Sequence, residues 1–326
     1  MGPIQAQDYE SVLWAIGLRT GLSRQAIEKS VLQGKMIRTH LLRPTWHLVA
    51  ADQIYELLAL TAPNIKKSLQ SRHTKLGLSD ALVLKANVLI KKILLGGQQL
   101  TREEIKPHFL AAGYDLSENR FYHYLLRAGL EGVICGGVPA GKKQTYRLLA
   151  ELQPPKARRS ETEILQNLAS CYFSSRGPAR LKDFSWWAGL KQKAAKQALS
   201  LVAEQLQEYV LEGESYYASE RDELRDDDRV YFLPAYDEFI IAYQDKTRLF
   251  QKAEHLSQVA KSGVFYPLIV HRGQIVGKWK AQAKEKVIRV EYQLFEKTSL
   301  SQAQLEAGIE SYHHFMERPI ELTNVK

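Results

Sequence analysis

The feature that most constrains this chain is a pattern that returns three times: helices of amphipathic spacing, then two short strands joined by a turn. In the first pass SRQAIEKSVLQGK repeats its apolar residues at helical intervals behind Ser23, a good N-terminal cap. MIRTHLL and TWHLV then alternate on either side of Arg43-Pro44. In the second, TREEIKPHFLAAGY and SENRFYHYLLRAG precede VICGG and QTYRLL, which flank the basic turn VPAGKK. In the third, SETEILQNLASCYFSS opens on a capping box from Ser160 to Glu163, and LKDFSWWAGL, KQALSLVAEQLQ, YVLEG and SYYAS follow. Helices followed by a hairpin are the local pattern of a winged helix, which sets one helix in the major groove and its hairpin against the backbone or minor groove. One copy means little, because short helix pairs before strands are common. Three in succession point to tandem modules able to line a continuous groove.

From Val230 the pattern turns to strands: VYFLPAY, EFIIAYQ, VFYPLIVHRG, QIVGKWKAQ and VIRVEYQLF, with a turn at Arg272-Gly273, and then the helix SLSQAQLEAGIESYHHFMER behind Ser301. The expected fold class is α+β, three tandem winged-helix modules with a C-terminal antiparallel β-barrel-like domain. The expected divisions are residues 1–63, 64–153 with a basic connecting helix, 154–229, and 230–326 as a scaffold with its terminal helix. Gln153-Pro154-Pro155, before Lys156 and Arg158-Arg159, marks the second boundary, and ERDELRDDDR reads as a surface loop.

At 326 residues the chain is too long for one small domain, and its formal net charge of +9 favours a polyanionic partner. Asn64 to Gly97 carries Lys66, Lys67, Arg72, Lys75, Lys85, Lys91 and Lys92 against the single acid Asp80; a solvated helix face and a nucleic-acid surface are equally good readings of that run. No stretch is apolar for long enough to cross a bilayer and the first residues lack a signal-peptide pattern, so a cytoplasmic, nucleoid-associated protein with no membrane partner is expected. Cys135 and Cys171 make neither a disulfide framework nor a zinc quartet, and no CxxC or HExxH accompanies them. Both read as small buried hydrophobes, and neither a metal nor a cofactor is expected.

QAQDYESVLWAIGLRT with GKMIRTHLLRPTWHLV, then GPARLKDFSWWAGL, then FLPAYDEFIIAYQDKT with GVFYPLIVHRGQIVGKWK resemble, in order and spacing, the winged-helix DNA glycosylases of the AlkZ/YcaQ type over essentially the whole chain. The resemblance implies three winged helices held by a β-barrel, a concave basic surface for duplex DNA, and a central QxQ catalytic motif whose matching residues are Gln5 and Gln7; the other branch of the family carries QxD there. It also implies excision of N-alkylated purines, bulky adducts and crosslinks among them. Family members carry a further helical segment before QxQ, whereas this sequence begins almost on the motif. Either the start lies further upstream or the first module is N-terminally short.

Chemistry explains how amides suffice. Alkylation at N7 or N3 leaves a purine cationic, so it departs neutral without the general acid that most glycosidic cleavages require. What remains is an oxocarbenium-like sugar and a water to be aimed at it, which amide oxygens and NH2 groups can hold. A separation of two residues puts both side chains on one face of an extended segment, whereas a helix splays them about 200° apart. The pair is therefore expected in an extended or turn segment before a helix that Asp8 caps; a role for Asp8 as base is the weaker alternative. Without the flanking match, Gln5 and Gln7 would read as two solvated glutamines. Arg38, Arg43 and His47 are candidates for phosphate contact or pocket lining, while His40 reads as an ordinary wing residue. Trp186 is a candidate to stack on DNA, although at least one ring of Trp186-Trp187 belongs in a core. Asp237, beside Glu238, reads equally well as a residue near the cleft and as half of a structural salt bridge. The expected protein is a monomer acting on duplex DNA with alkylated bases; the rival reading is a non-catalytic winged-helix regulator or architectural DNA binder.

Overall fold

In the computed structural model, which describes residues 2–155, 159–219, 227–295, 298 and 300–325, helices begin where a side chain can take up the free amides of the first turn. After strand β1 (Ile4–Gln5), Asp8 accepts from the Ser11 amide at 2.8 Å and opens α1 (Tyr9–Thr20); Ser23 Oγ lies 3.4 Å from the Ala26 amide at the start of α2 (Arg24–Leu32). The first hairpin is β2 (Met36–Leu41) and β3 (Thr45–Ala50), with His40 opposite Trp46. There follow α3 (Ile54–Lys75), α4 (Asp80–Leu94), β4 (Leu100–Thr101), α5 (Arg102–Ala111), α6 (Arg120–Leu130), β5 (Ile134–Gly136), β6 (Thr145–Leu148) and α7 (Leu149–Leu152). The Ser160–Glu163 box forms as expected ahead of α8 (Glu161–Arg176), which leads to α9 (Leu181–Ala188), α10 (Gln192–Ser200) and the hairpin β7 (Leu206–Leu211) and β8 (Glu214–Ser219). The last stretch holds β9 (Val230–Leu233), α11 (Glu238–Ile241), α12 (Leu256–Val259), β10 (Ala260–Lys261), β11 (Val264–Phe265), β12 (Leu268–His271), β13 (Gln274–Ala283), β14 (Ile288–Leu294), α13 (Gln302–Met316) and β15 (Ile320–Asn324). Lys156 and Arg158 of the expected boundary and residues 220–226 of the expected loop lie outside the described residues. No helix of the described residues is long and apolar enough to cross a membrane.

The fold is mixed α+β, and the chain divides into two compact units, Met1–Ile4 with Ser30–Ser175 and Ser185–Glu204, and Gln5–Lys29 with Arg176–Phe184 and Gln205–Lys326. In the first unit the first two hairpins share one sheet. Arg38 of β2 pairs with Gly136 of β5, giving the order β3-β2-β5-β6-β4 with Ile4 of β1 on the β3 edge. A hairpin edge presents unpaired amides and carbonyls, and joining two edges satisfies both. Behind the sheet, Ile90 and Leu94 of α4, Ile105 and Phe109 of α5 and Phe121 and Tyr124 of α6 pack with Ile134 and Tyr146 in one core. At the tip of the first hairpin Leu42 takes a left-handed φ of 57° and is buried. Its carbonyl approaches so closely that a Cβ on Gly189, itself at φ +64°, would lie 2.0 Å from the oxygen. Only glycine fits there.

In the second unit Trp14 of α1 packs on Tyr312 and Phe315 of α13, ring centroids 5.0 and 5.1 Å apart, and its indole donates to the Phe232 carbonyl at 2.8 Å. The expected barrel is not formed: the sheet is open, in the order β15-β14-β13-β12-β9, and β15 runs parallel to β14. Between β14 and β15 the chain passes through α13, a crossover and not a hairpin, which is why β15 lies parallel to β14. EFIIAYQ, expected as a strand, is instead the site of α11, because Asp237 caps its first turn. Arg272 (φ 47°) and Gly273 (φ 70°) form the turn between β12 and β13 that the sequence predicts. Cys135 is buried as expected, whereas Cys171 is half-buried.

Candidate active site

The segment Gln5-Ala6-Gln7-Asp8 is extended at Gln5 and bends at Gln7 and Asp8 before α1 begins. Gln5 is buried and Gln7 exposed. The backbone N–H of Gln5 donates to Oε1 of Glu238 at 2.8 Å. Asp8 is the cap of α1, the role expected for it.

The partner segment LPAYDE leaves β9 through Tyr236, a non-glycine residue at φ 56°, which turns the chain so that Asp237 starts α11. Asp237 Oδ1 accepts from the Phe239 amide at 2.8 Å, and Arg19 grips the same carboxylate in a bidentate pair, Nη1 to Oδ2 at 2.8 Å and Nη2 to Oδ1 at 2.7 Å. Burial disfavours the Arg19 cation, but the charge and hydrogen bonds of Asp237 outweigh it and hold the guanidinium above its ordinary value. Glu238 is also matched by an arginine, but through one oxygen: its Oε2 accepts from Arg176 Nε at 2.8 Å and lies 2.7 Å from Nη2, with the two side chains 5% and 4% exposed.

The stretch around GPARLKDF braces this arrangement. The Tyr243 hydroxyl donates to the Arg176 carbonyl at 2.8 Å, and burial pushes its pKa up to about 12, so it keeps its proton at neutral pH. Asp183 Oδ1 accepts from the Gln244 amide at 2.9 Å, while its Oδ2 pairs with Arg180 at 2.8 Å. Both carboxylates of LPAYDE therefore meet an arginine. Neither is placed as an unpaired base.

Arg38, Arg43, His47 and Trp186 belong to the first unit; Gln5, Gln7 and Asp237 belong to the second. Arg38 is buried, bonded to Gln144 Oε1, with its guanidinium 4.6 Å from the Trp46 ring centroid. His47 is fully buried with Nδ1 3.0 Å from the Thr45 carbonyl. Burial, then the charges of Arg38 and His47, lower the pKa of His40 to about 3, so it is a neutral imidazole. Arg43 lies over Trp186 at 4.0 Å, so the RTHLLRPTWH and FSWWAGL segments meet at the hairpin tip; Trp187 beside it is core, against Tyr172. In the basic run Lys67, Arg72, Lys75, Lys85, Lys91 and Lys92 are exposed. Among the described residues no group of three or more His, Cys, Asp or Glu side chains is arranged to hold a metal.

Sequence reasoning did not find Arg19, Arg176, Tyr236 or Tyr243. Arg19 and Asp237 stand 218 residues apart, Arg176 and Glu238 62 apart, and no local spacing signals either pair.

Comparison with curated protein sequences gives no significant match. Among solved structures, the Streptomyces sahachiroi DNA glycosylase AlkZ is similar in fold, with a TM-score of 0.79 and 20% identity over 98% of this chain and 91% of that one. A family model described as DNA glycosylase AlkZ-like matches residues 1–315. The chain belongs to the AlkZ-like DNA glycosylase family.

Proposed function

We propose that this protein is a monofunctional DNA glycosylase that hydrolyses the N-glycosidic bond of alkylated purines in duplex DNA, acting as a monomer at the nucleoid through three winged-helix modules. The observation that carries the reading is the extended-then-bent QAQD segment, whose Gln5 N–H is held by Glu238, a carboxylate that is itself paired with Arg176. A cationic purine needs no proton to leave. The site then has to orient a water and tolerate positive charge on the sugar, and the amides of Gln5 and Gln7 supply oxygens and NH2 groups for both. The groups around the motif, Glu238, Arg176, Asp237 and Arg19, include no lysine that would form a Schiff base. On this reading water attacks the sugar and the product is an abasic site. Within the first unit Arg43 and Trp186 are proposed to face DNA and the buried Arg38 and His47 to brace their hairpin, while in the second unit Asp237 is proposed as a pocket residue; phosphate contacts would fix position without reading sequence.

The test is incubation of the purified protein with duplex DNA carrying N7-methylguanine. Free 7-methylguanine and an alkali-labile abasic site are the expected products. Absence of released base, together with selection of one preferred sequence from random duplexes, would instead make the protein a non-catalytic DNA binder.

A further inference from the structure

We infer that Glu238, held by Arg176, is the residue that positions Gln5, an inference that rests on the proposed glycosylase reading. A carboxylate has two oxygens that only accept, and here each meets a different donor group. Oε1 takes the Gln5 backbone N–H at 2.8 Å, while Oε2 takes two nitrogens of Arg176 at 2.8 and 2.7 Å. The strand residue that bears the proposed catalytic amide is thus tied by its main chain to a buried side chain 233 residues away. Arg176 is fixed in turn, because its own carbonyl receives the Tyr243 hydroxyl at 2.8 Å. Asp237, the next residue, is locked by Arg19 and by the Phe239 amide, so the base of Glu238 cannot swing. A rigid chain of charge-assisted bonds therefore sets where the Gln5 side chain departs from the backbone.

An amide at position 238 cannot do the same work. If its oxygen faces the Gln5 N–H, its NH2 meets the Arg176 guanidinium, donor against donor; if it is flipped, the NH2 meets the Gln5 N–H. Removing the guanidinium as well frees the amide oxygen for Gln5 and leaves no unpaired buried charge. Glu238→Gln alone and Glu238→Gln with Arg176→Met therefore separate positioning from general stability.

The experiment is single-turnover release of 7-methylguanine, with DNA affinity measured in parallel. Glu238→Gln is expected to slow release by about 10²-fold while Kd stays within about threefold, and the double variant to recover to within about tenfold of the natural protein. A Glu238→Gln protein that releases base at the natural rate, or a folded double variant no faster than the single one, would overturn the inference. Amide hydrogen exchange at Gln5 gives a readout independent of activity. Strong protection is expected in the natural protein, lost in Glu238→Gln and regained in the double variant. Should the single variant not fold, exchange in the natural protein decides: an unprotected Gln5 amide sinks the positioning role. Absence of base release by the natural protein would count against the glycosylase reading, whereas the exchange pattern would still test the tether.

Discussion

At Gln5 and Gln7 the proposed chemistry requires no titrating group. Gln5→Ala and Gln7→Ala are each expected to lower single-turnover release by about 10²–10³-fold, with the pair together costing little more than the worse single change, since in the proposed mechanism both amides serve one water. The release rate is expected to be flat between about pH 6 and 8; a slope of one in log rate across that interval would reveal an acid or base that the proposal lacks. Acid does act on the fold through His40. Its pKa of about 3 in the folded protein lies below the ordinary 6.5, so between those values the unfolded chain takes up a proton that the native one refuses. Stability is therefore full above pH 6.5 and falls as pH drops towards 3, by about 1.4 kcal/mol per unit inside that window. Urea denaturation at pH 7 and pH 5 should show a loss on the order of 2 kcal/mol from this residue, absent in His40→Asn. The conformation around the amides was legible in part: an extended or turn segment was expected and Gln5 is extended while Gln7 bends, with one buried and the other exposed, and Asp8 before an amphipathic run announced a cap. What held Gln5 was not, because Glu238 and Arg176 come to it only through tertiary folding, and a sequence carries no local mark of such partners.

Element by element, the chain was readable wherever local chemistry decides. The Ser160–Glu163 box, the Ser301 cap and the Arg272-Gly273 turn each depend on residues a few positions apart, and each forms. Distant determinants left no such trace. The apolar run of EFIIAYQ suits strand and helix equally, and the cap at Asp237 settled it as helix; the crossover through α13 set β15 parallel to β14; and the first two hairpins fused through β2 and β5, which no hairpin pattern announces. The contact between the first hairpin and the FSWWAGL segment offers the sharpest test at this scale. Gly189→Ala would combine a left-handed backbone with a Cβ 2.0 Å from the Leu42 oxygen, and a loss of at least about 2 kcal/mol in chemical denaturation is expected. Gly77→Ala, equally left-handed at φ +66° but with nothing within 4 Å of its Cβ, should lose less, only about 1 kcal/mol. A similar loss at both positions would mean that backbone conformation alone, and not the close approach of the hairpin, restricts residue 189.

For the molecule as a whole, a net charge of +9 makes affinity for DNA an electrolyte problem. The logarithm of the binding constant should fall linearly with that of salt concentration, with a slope of about −0.9 for each phosphate neutralised. Arg43→Gln is expected to make this slope shallower by about one if its guanidinium contacts a phosphate, measured by fluorescence anisotropy on an undamaged duplex. The matched ion pairs Arg19–Asp237 and Arg176–Glu238 bear on selectivity too. An intact adenine or guanine would have to depart as an anion unless it received a proton, and carboxylates whose oxygens already accept from arginine N–H groups are not placed to supply one. Sparing healthy nucleotides then takes no discriminating fit around the base. On the proposed mechanism the lesion identifies itself by being ready to fall off, which would let one catalyst accept substituents of many sizes while leaving the undamaged genome untouched.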